Sequence, residues 1–484
     1  WAFRSFLFVF PIIGLIVVIG LYITNKNLPD IPLEGGAIKK VLTDTTKHYK
    51  ESALEKEYKG FRKVINSKWA QGNGCGQQSP LNLSSSKLFS DSLGIRAAFY
   101  VNWDAPQSLN SLERNISKLN LVIPEWLFID PNKDELYHSI DPKALAMMQK
   151  AGVKIMPLLT NNYFSVFRGD AVQRILTNKI KRQKLIDDII KIVEQYHFVG
   201  INIDFEDLTM STDEPLVEFQ RLLYEQMHAR NLLVSQDVIP FNNDYNFKAL
   251  SKYNDYLILM AYDQHHAQTK PGPNSSQKWI EAAVDNIVTQ VPANKVILAM
   301  AAFGHDWKMN GKKVMTTADV TYQQAMASAS NSDAKIDFDN DSYNLHFQYY
   351  DSENKIHQVY FVDAATNFNT LRFATELNLA GTALWRLGGE DLRLWDFYDK
   401  PMTKTALQKF NFVQFNKIKA GIAPDFEGEG EILDIVASPK DGTIRSEVDR
   451  ESMLISEEFY DALPSTYVIR RFGATNKRKI VLSY

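Results

Sequence analysis

Apolar residues are arranged along the chain in three different ways. The first is one dense block near the start: Phe6 to Ile23 is apolar, and no charge occurs from Ser5 to Asn25. At about 1.5 Å per helical residue that segment reaches roughly 30 Å, the thickness of a bilayer's hydrocarbon core. In the middle of the chain, short apolar runs alternate with amphipathic stretches. The runs are Ile95–Asn102, Leu119–Ile129, Val153–Leu159, Phe198–Phe205, Leu232–Ile239, Tyr256–Tyr262, Val296–Ala302 and Gly381–Trp385. Helices are expected between them at Asp141–Ala151, Ala171–Gln195, Glu214–Arg230, Gln277–Thr289 and Thr366–Leu379. Eight strands with intervening helices over about 300 residues predict an α/β fold, a (β/α)8 TIM barrel, rather than an open sheet. The stretch from His305 to Tyr360 is too long for a simple connection and has strand-like pieces at Leu345–Tyr350 and Ile356–Val362. It predicts a small α+β insertion between strands 7 and 8. The third arrangement is sparse: residues 26–93 and 401–484 carry only short apolar runs among polar and charged ones.

These patterns divide the chain into a transmembrane anchor (5–25), a stalk or linker (26–93), a barrel (94–400) and a β-rich region (401–484). Trp1 and Tyr22 stand near the ends of the apolar block, where amphipathic rings favour the membrane interface. A cleavable signal peptide is the rival reading. The block exceeds the roughly 7–15 residues of a usual signal h-region and no small-x-small site follows it. A single-pass anchor with the barrel on the extracytoplasmic side is therefore expected.

Composition narrows the functional classes. The formal net charge is -3, and no basic stripe is interleaved with aromatics, so nucleic acid is not an expected partner. The single cysteine, Cys75, excludes an intrachain disulfide and a cysteine-based metal cluster. It lies in a glycine-rich loop sequence and reads as a loop thiol. His265-His266 could suggest a metal, but adjacent positions seldom face the same way.

Candidate chemistry concentrates in Phe198-Val199-Gly200-Ile201-Asn202-Ile203-Asp204-Phe205-Glu206-Asp207. Along a strand Ile201, Ile203 and Phe205 share one face, while Asn202, Asp204 and Glu206 share the other. With the apolar face against outer helices, the polar face points into the barrel. Three polar groups there would cost several kcal/mol if left unpaired, which suits the C-terminal mouth where such barrels keep active sites. Two carboxyls on one face oppose each other's ionisation, so one of them is expected to hold a proton near neutral pH. Glu206, nearest the mouth, is better placed to donate it, and Asp204 to assist.

This segment resembles the fourth-strand signature of family 18 glycoside hydrolases, the chitinase-like enzymes, whose pattern is D-G-x-D-x-D-x-E. Glu206 falls on the proton donor and Asp204 on the assisting aspartate. Val199 and Asn202 stand where the pattern has its first two aspartates. The Asn form resembles the branch with spore-coat-type hydrolases. Leu259-Met260-Ala261-Tyr262-Asp263 is similar to the sixth-strand M-x-Y-D element, and Ala301-Ala302-Phe303-Gly304 to the seventh-strand end. Ala383-Leu384-Trp385-Arg386-Leu387-Gly388 is similar to the eighth-strand end. The resemblance implies a substrate-assisted retaining hydrolysis of β-linked N-acetylglucosamine polysaccharide without metal or cofactor. Glu206, Asp204 and Tyr262 would be catalytic. Asn202, Asp263 and Trp385 would bind substrate, with Trp385 flooring the reacting sugar. A catalytically weak glycan-binding module remains the alternative.

Pro464–Gly473 with Lys479–Tyr484 resembles the lead-in to a polysaccharide deacetylase domain. The chain is accordingly expected to stop inside such a domain, in a membrane protein that also carries a glycosyltransferase.

Overall fold

The computed structural model describes residues 93–401, except 209–213, 340, 341 and 343, together with 433–437 and 444–448. The anchor expected at 5–25, the stalk up to residue 92 and the deacetylase-like lead-in lie outside the described residues. Among the described residues no helix is long and apolar enough to cross a membrane.

Strands β1 (Ile95–Val101), β2 (Leu121–Asp130), β3 (Leu158–Thr160), β4 (Gly200–Asp204), β5 (Leu233–Val238), β6 (Tyr256–Met260), β7 (Val296–Ala301) and β8 (Gly381–Trp385) pair in sequence order. All the pairings are parallel, and β8 closes onto β1 with Ala97 opposite Ala383. The eight apolar runs are thus the eight staves of a closed barrel, as the alternation with helices requires. Its interior is packed by Ala97 and Phe99 of β1, Ile123 of β2, Leu158 of β3, Ile258 of β6 and Ala299 of β7, among others. From β4 the interior receives polar side chains instead, since Ile201 and Ile203 are buried on the opposite face. Val199, one residue before β4, packs against the interior cluster at its base. Gly200 lets β4 lie close to β5: a Cβ there would come within 2.2 Å of the Leu233 carbonyl oxygen.

Helix ends follow local chemistry. Asp141 caps the helix Pro142–Ala151 by accepting the Lys143 and Ala144 N–H groups, and left-handed Gly152 ends it. The single helix expected over Ala171–Gln195 is two, Gly169–Leu176 and Lys179–Gln195. Apolar periodicity runs through the break, but the Asn178 side chain accepts the Ile180 and Lys181 N–H groups and starts a new helix. The helix Ala105–Asn115, after β1, has no counterpart in the expected set.

Between β7 and β8 stands a five-stranded antiparallel sheet of Phe303–Asn310, Lys313–Thr321, Asp337–Phe338, Leu345–Tyr350 and Ile356–Phe361. The helix Tyr322–Asn331 packs on it, and Leu345, Phe347, Val359 and Phe361 form their shared core. In the C-terminal region Leu433–Ala437 and Ile444–Val448 pair as an antiparallel hairpin.

Candidate active site

The polar face of β4 opens at the C-terminal mouth. Thr160 stands level with Asp204 in the β3–β4 register, where its hydroxyl favours the ionised form of that carboxyl. Glu206 follows the strand end, near enough to Asp204 that each carboxyl perturbs the other's ionisation. Its main chain is held from β3: the Glu206 N–H donates to Asn161 Oδ1 at 2.9 Å, and Asn161 Nδ2 donates to the Glu206 carbonyl at 2.9 Å. Tyr245 braces the same turn by donating its hydroxyl to the Phe205 carbonyl at 2.8 Å.

Burial raises both carboxyls, and unequally. Asp204 is pushed up to about 6, against the opposing hydrogen bonds from Thr160 and Glu206. Glu206 is pushed well above the usual carboxylate range, first by burial and then by the charges of Asp204, Asp263 and Asp237. Asp204 therefore ionises first, and Glu206 keeps its proton at neutral pH. Two other carboxyls, which the sequence reading did not single out, share this interior. Asp237 of β5 accepts a 2.9 Å hydrogen bond from Asn202 Nδ2, and Ser235 Oγ donates to Asn202 Oδ1 at 2.6 Å. Glu125 of β2 is pushed up to about 7 by burial and by the charge of Asp204. The indole N–H of exposed Trp103 donates to its Oε2 at 2.7 Å. Isolated acids inside the apolar runs Leu119–Ile129 and Leu232–Ile239 were the available signal.

Tyr262, just past β6, is buried edge-on to Phe303, with ring centroids 5.7 Å apart. Burial, then the surrounding carboxylates led by Asp237, raise its hydroxyl well above the ordinary value, so it is a neutral donor. Asp263 adopts a left-handed backbone (φ 60°), which a short polar side chain tolerates. Asn274 Oδ1 accepts its N–H at 2.8 Å. His305, from the first strand of the insertion, bridges Asp263 Oδ1 at 3.0 Å and Asp319 Oδ1 at 2.9 Å. Burial alone would lower this imidazole, but the two carboxylates outweigh it and hold it up to about 9. Trp385 ends β8, packed at 5.1 Å against Phe99 and joined to Arg386 by a cis peptide. The Arg386 guanidinium lies 4.2 Å from the Trp103 ring centroid and pairs with Asp104 at 2.6 Å. The structure thus brings Asp204 and Glu206 to one mouth with Tyr262, Asp263 and Trp385, whereas Asn202, expected to bind substrate, lies fully buried beneath them with its amide engaged by Ser235 and Asp237. His265 and His266 turn to the Lys270 carbonyl and the Gln268 side chain respectively.

A barrel with an acid held protonated beside an ionisable carboxyl at its mouth suits glycosyl transfer chemistry, and one comparison decides the family. The sequence profile of the glycosyl hydrolases family 18 matches residues 90–390. The chain belongs to that family. It is a glycosidase, of the chitinase-like family that also holds spore cortex-lytic enzymes. The cortical fragment-lytic enzyme of Bacillus subtilis (strain 168) is 25% identical over 253 residues, covering 50% of this chain but only 59% of that protein. The uncharacterized glycosylase YvbX of the same organism is 23% identical over 299 residues, covering 60% and 86%. Among solved structures, the chitinase from Chromobacterium violaceum ATCC 12472 superposes with a TM-score of 0.58 at 22% identity, covering 63% of this chain and 97% of that one. The Bacillus megaterium QM B1551 spore cortex-lytic enzyme SleL gives 0.58 at 21%, covering 63% and 73%. At these identities the structural likeness speaks for the fold.

Proposed function

We propose that this glycosidase cleaves β-linked N-acetylglucosamine-containing polysaccharide by a substrate-assisted, retaining route. The observation that carries the reading is the split between Glu206, protonated by burial and neighbouring charge, and Asp204, which ionises at about 6. In the proposed reaction the 2-acetamido oxygen attacks the anomeric carbon while Glu206 protonates the leaving oxygen. Asp204 accepts the acetamido N–H and stabilises the oxazolinium charge. Tyr262 donates its hydroxyl to the acetamido oxygen and keeps it in line. Water then opens the ring, with Glu206 taking a proton from it, so the configuration is retained. Trp385 supplies an apolar face under the reacting sugar, with Asn202 bracing the site from below and Asp263 contacting the sugar from the β6 side.

Release of products from chitin oligosaccharides tests this. Removing a positioned acid costs about 100- to 10,000-fold, so Glu206→Gln should lose at least about that much turnover while still binding the oligomer. Equal rates in wild type and variant would sink the assignment.

The uncharged apolar segment at 5–25 supports attachment to a membrane with the barrel on the extracytoplasmic side. The lead-in at 464–484 supports a neighbouring polysaccharide deacetylase-like domain.

A further inference from the structure

Where β4 ends, its hydrogen bonding passes from a main chain to a side chain. In the parallel β3–β4 ladder Thr160 stands opposite Asp204, and the Asn161 N–H donates to the Asp204 carbonyl at 3.4 Å. The next bond of such a ladder would run from the Glu206 N–H to the main-chain carbonyl of Asn161. That carbonyl is taken: the Arg168 N–H donates to it at 3.0 Å, as the chain turns away from the barrel wall into a short hairpin of Asn162–Tyr163 and Val166–Phe167. Asn162, which would stand opposite Glu206, gives its N–H to Thr160 Oγ1 at 3.1 Å instead. The Asn161 side chain fills both vacant places. Its Oδ1 accepts the Glu206 N–H, and its Nδ2 donates to the Glu206 carbonyl where the Tyr163 N–H would have come, each at 2.9 Å. A carboxamide carries the donor and acceptor of a peptide group, so Asn161 prolongs the pairing of β4 after β3 has left. Asp207 then takes a left-handed backbone (φ 49°), and the chain departs.

We infer that Asn161 is a positioning residue for the proton donor, acting on the reaction only through where it holds Glu206. Asn161 is fully buried, so it has no surface with which to touch a sugar, and its amide is committed at both ends to one residue. Bonds to the N–H and the carbonyl of the same residue restrain both peptide groups that flank the Glu206 Cα, from which the carboxyl is carried. A general acid has to lie within hydrogen-bond reach of the oxygen it protonates, and a misplacement of about 1 Å costs about 100-fold in rate. Tyr245 does not duplicate the restraint, since its hydroxyl holds the Phe205 carbonyl, one residue earlier. A merely structural Asn161 would brace the barrel wall, and its loss would slow every substrate alike.

The inference rests on the reading of Glu206 as proton donor, and leaving-group dependence measured on the full chain separates the two claims. Two substrates are compared by kcat/KM. One is an N-acetylglucosamine oligosaccharide, whose departing sugar oxygen needs a proton. The other is the dinitrophenyl β-glycoside of the N-acetylglucosamine disaccharide, whose phenolate leaves without one. Asn161→Leu, similar in volume but lacking donor and acceptor, should lose about 100-fold on the oligosaccharide and no more than about threefold on the aryl glycoside. Asn161→Asp keeps the acceptor and lacks the amide donor. It should show the same contrast at smaller size, and it carries the test if Asn161→Leu does not fold. In a Glu206→Gln background either substitution should add less than about twofold to the loss on the oligosaccharide, because the group it positions is gone. Thermal melts establish that each chain compared is folded. Equal losses on the two substrates, or the full loss recurring in the Glu206→Gln background, would overturn the inference. If Glu206→Gln itself costs as much on the aryl glycoside as on the oligosaccharide, the donor reading falls and takes this inference with it.

Discussion

Glu125→Gln should make the protein more stable, and only at neutral and alkaline pH. Glu125 is buried on β2, and folding lifts its carboxyl from 4.5 to about 7. Because the folded value lies above the unfolded one, folding favours the protonated form. The wild-type protein has full stability from this group below about 4.5, and loses it as pH rises through about 7. At about 1.36 kcal/mol per pH unit, the deficit is complete above pH 7 at about 3 kcal/mol. Glutamine removes the ionisation and keeps an oxygen for the Trp103 indole, whose 2.7 Å hydrogen bond fixes this side chain. Arg386 does not lose its partner, since it pairs with Asp104. For a domain of this size about 3 kcal/mol corresponds to roughly 6 °C in melting temperature. Thermal melts followed by circular dichroism at about pH 4 and about pH 8 check the reasoning. A gain near pH 8 that vanishes near pH 4 is expected. Equal melting temperatures at pH 8, or the same gain at both pH values, would refute the burial argument.

Two other outcomes follow from the site and from the chain's first segment. His305, held up to about 9 by Asp263 and Asp319, keeps its ion pairs in full below about 6.5 and loses them as pH rises through 9. His305→Asn should raise KM by about fivefold at neutral pH with kcat little changed, and should flatten the wild-type rise in KM near pH 9; steady-state kinetics across that range decide it. Removing residues 1–25 should move the protein from the membrane pellet to the soluble fraction of a cell lysate. A chain that retains residues 1–25 and still stays in the supernatant would exclude the anchor.

Much of this fold is legible in the sequence because its signals are local. The two-residue period that separates Ile201 and Ile203 from Asn202 and Asp204 needs no knowledge of neighbouring strands. Period alone could not locate the helix break at Asn178, because the apolar repeat continues through it and only the side-chain cap interrupts the backbone. The acids missed at the site were invisible for a different reason. Glu125 gains its meaning from Trp103 and Asp204, and Asp237 from Asn202, all on other barrel elements. Within its own run each is a single charged residue, Glu125 among hydrophobic neighbours and Asp237 after the polar pair Ser235-Gln236. His305 likewise reads as an ordinary start to an insertion until closure of the barrel brings Asp263 within 3.0 Å of it, 42 residues away in sequence.

The Asn161 clamp has a consequence for how the mouth can change. One amide side chain engages both the N–H and the carbonyl of Glu206, so the residue that follows β3 fixes the main chain where the acid emerges. The anchor point of the acid is thereby insulated from the connection that follows. Substitutions and length changes beyond Asp207 can reshape what enters the barrel without relocating the residue proposed to meet it, so substrate range and proton chemistry can diverge independently on the same staves.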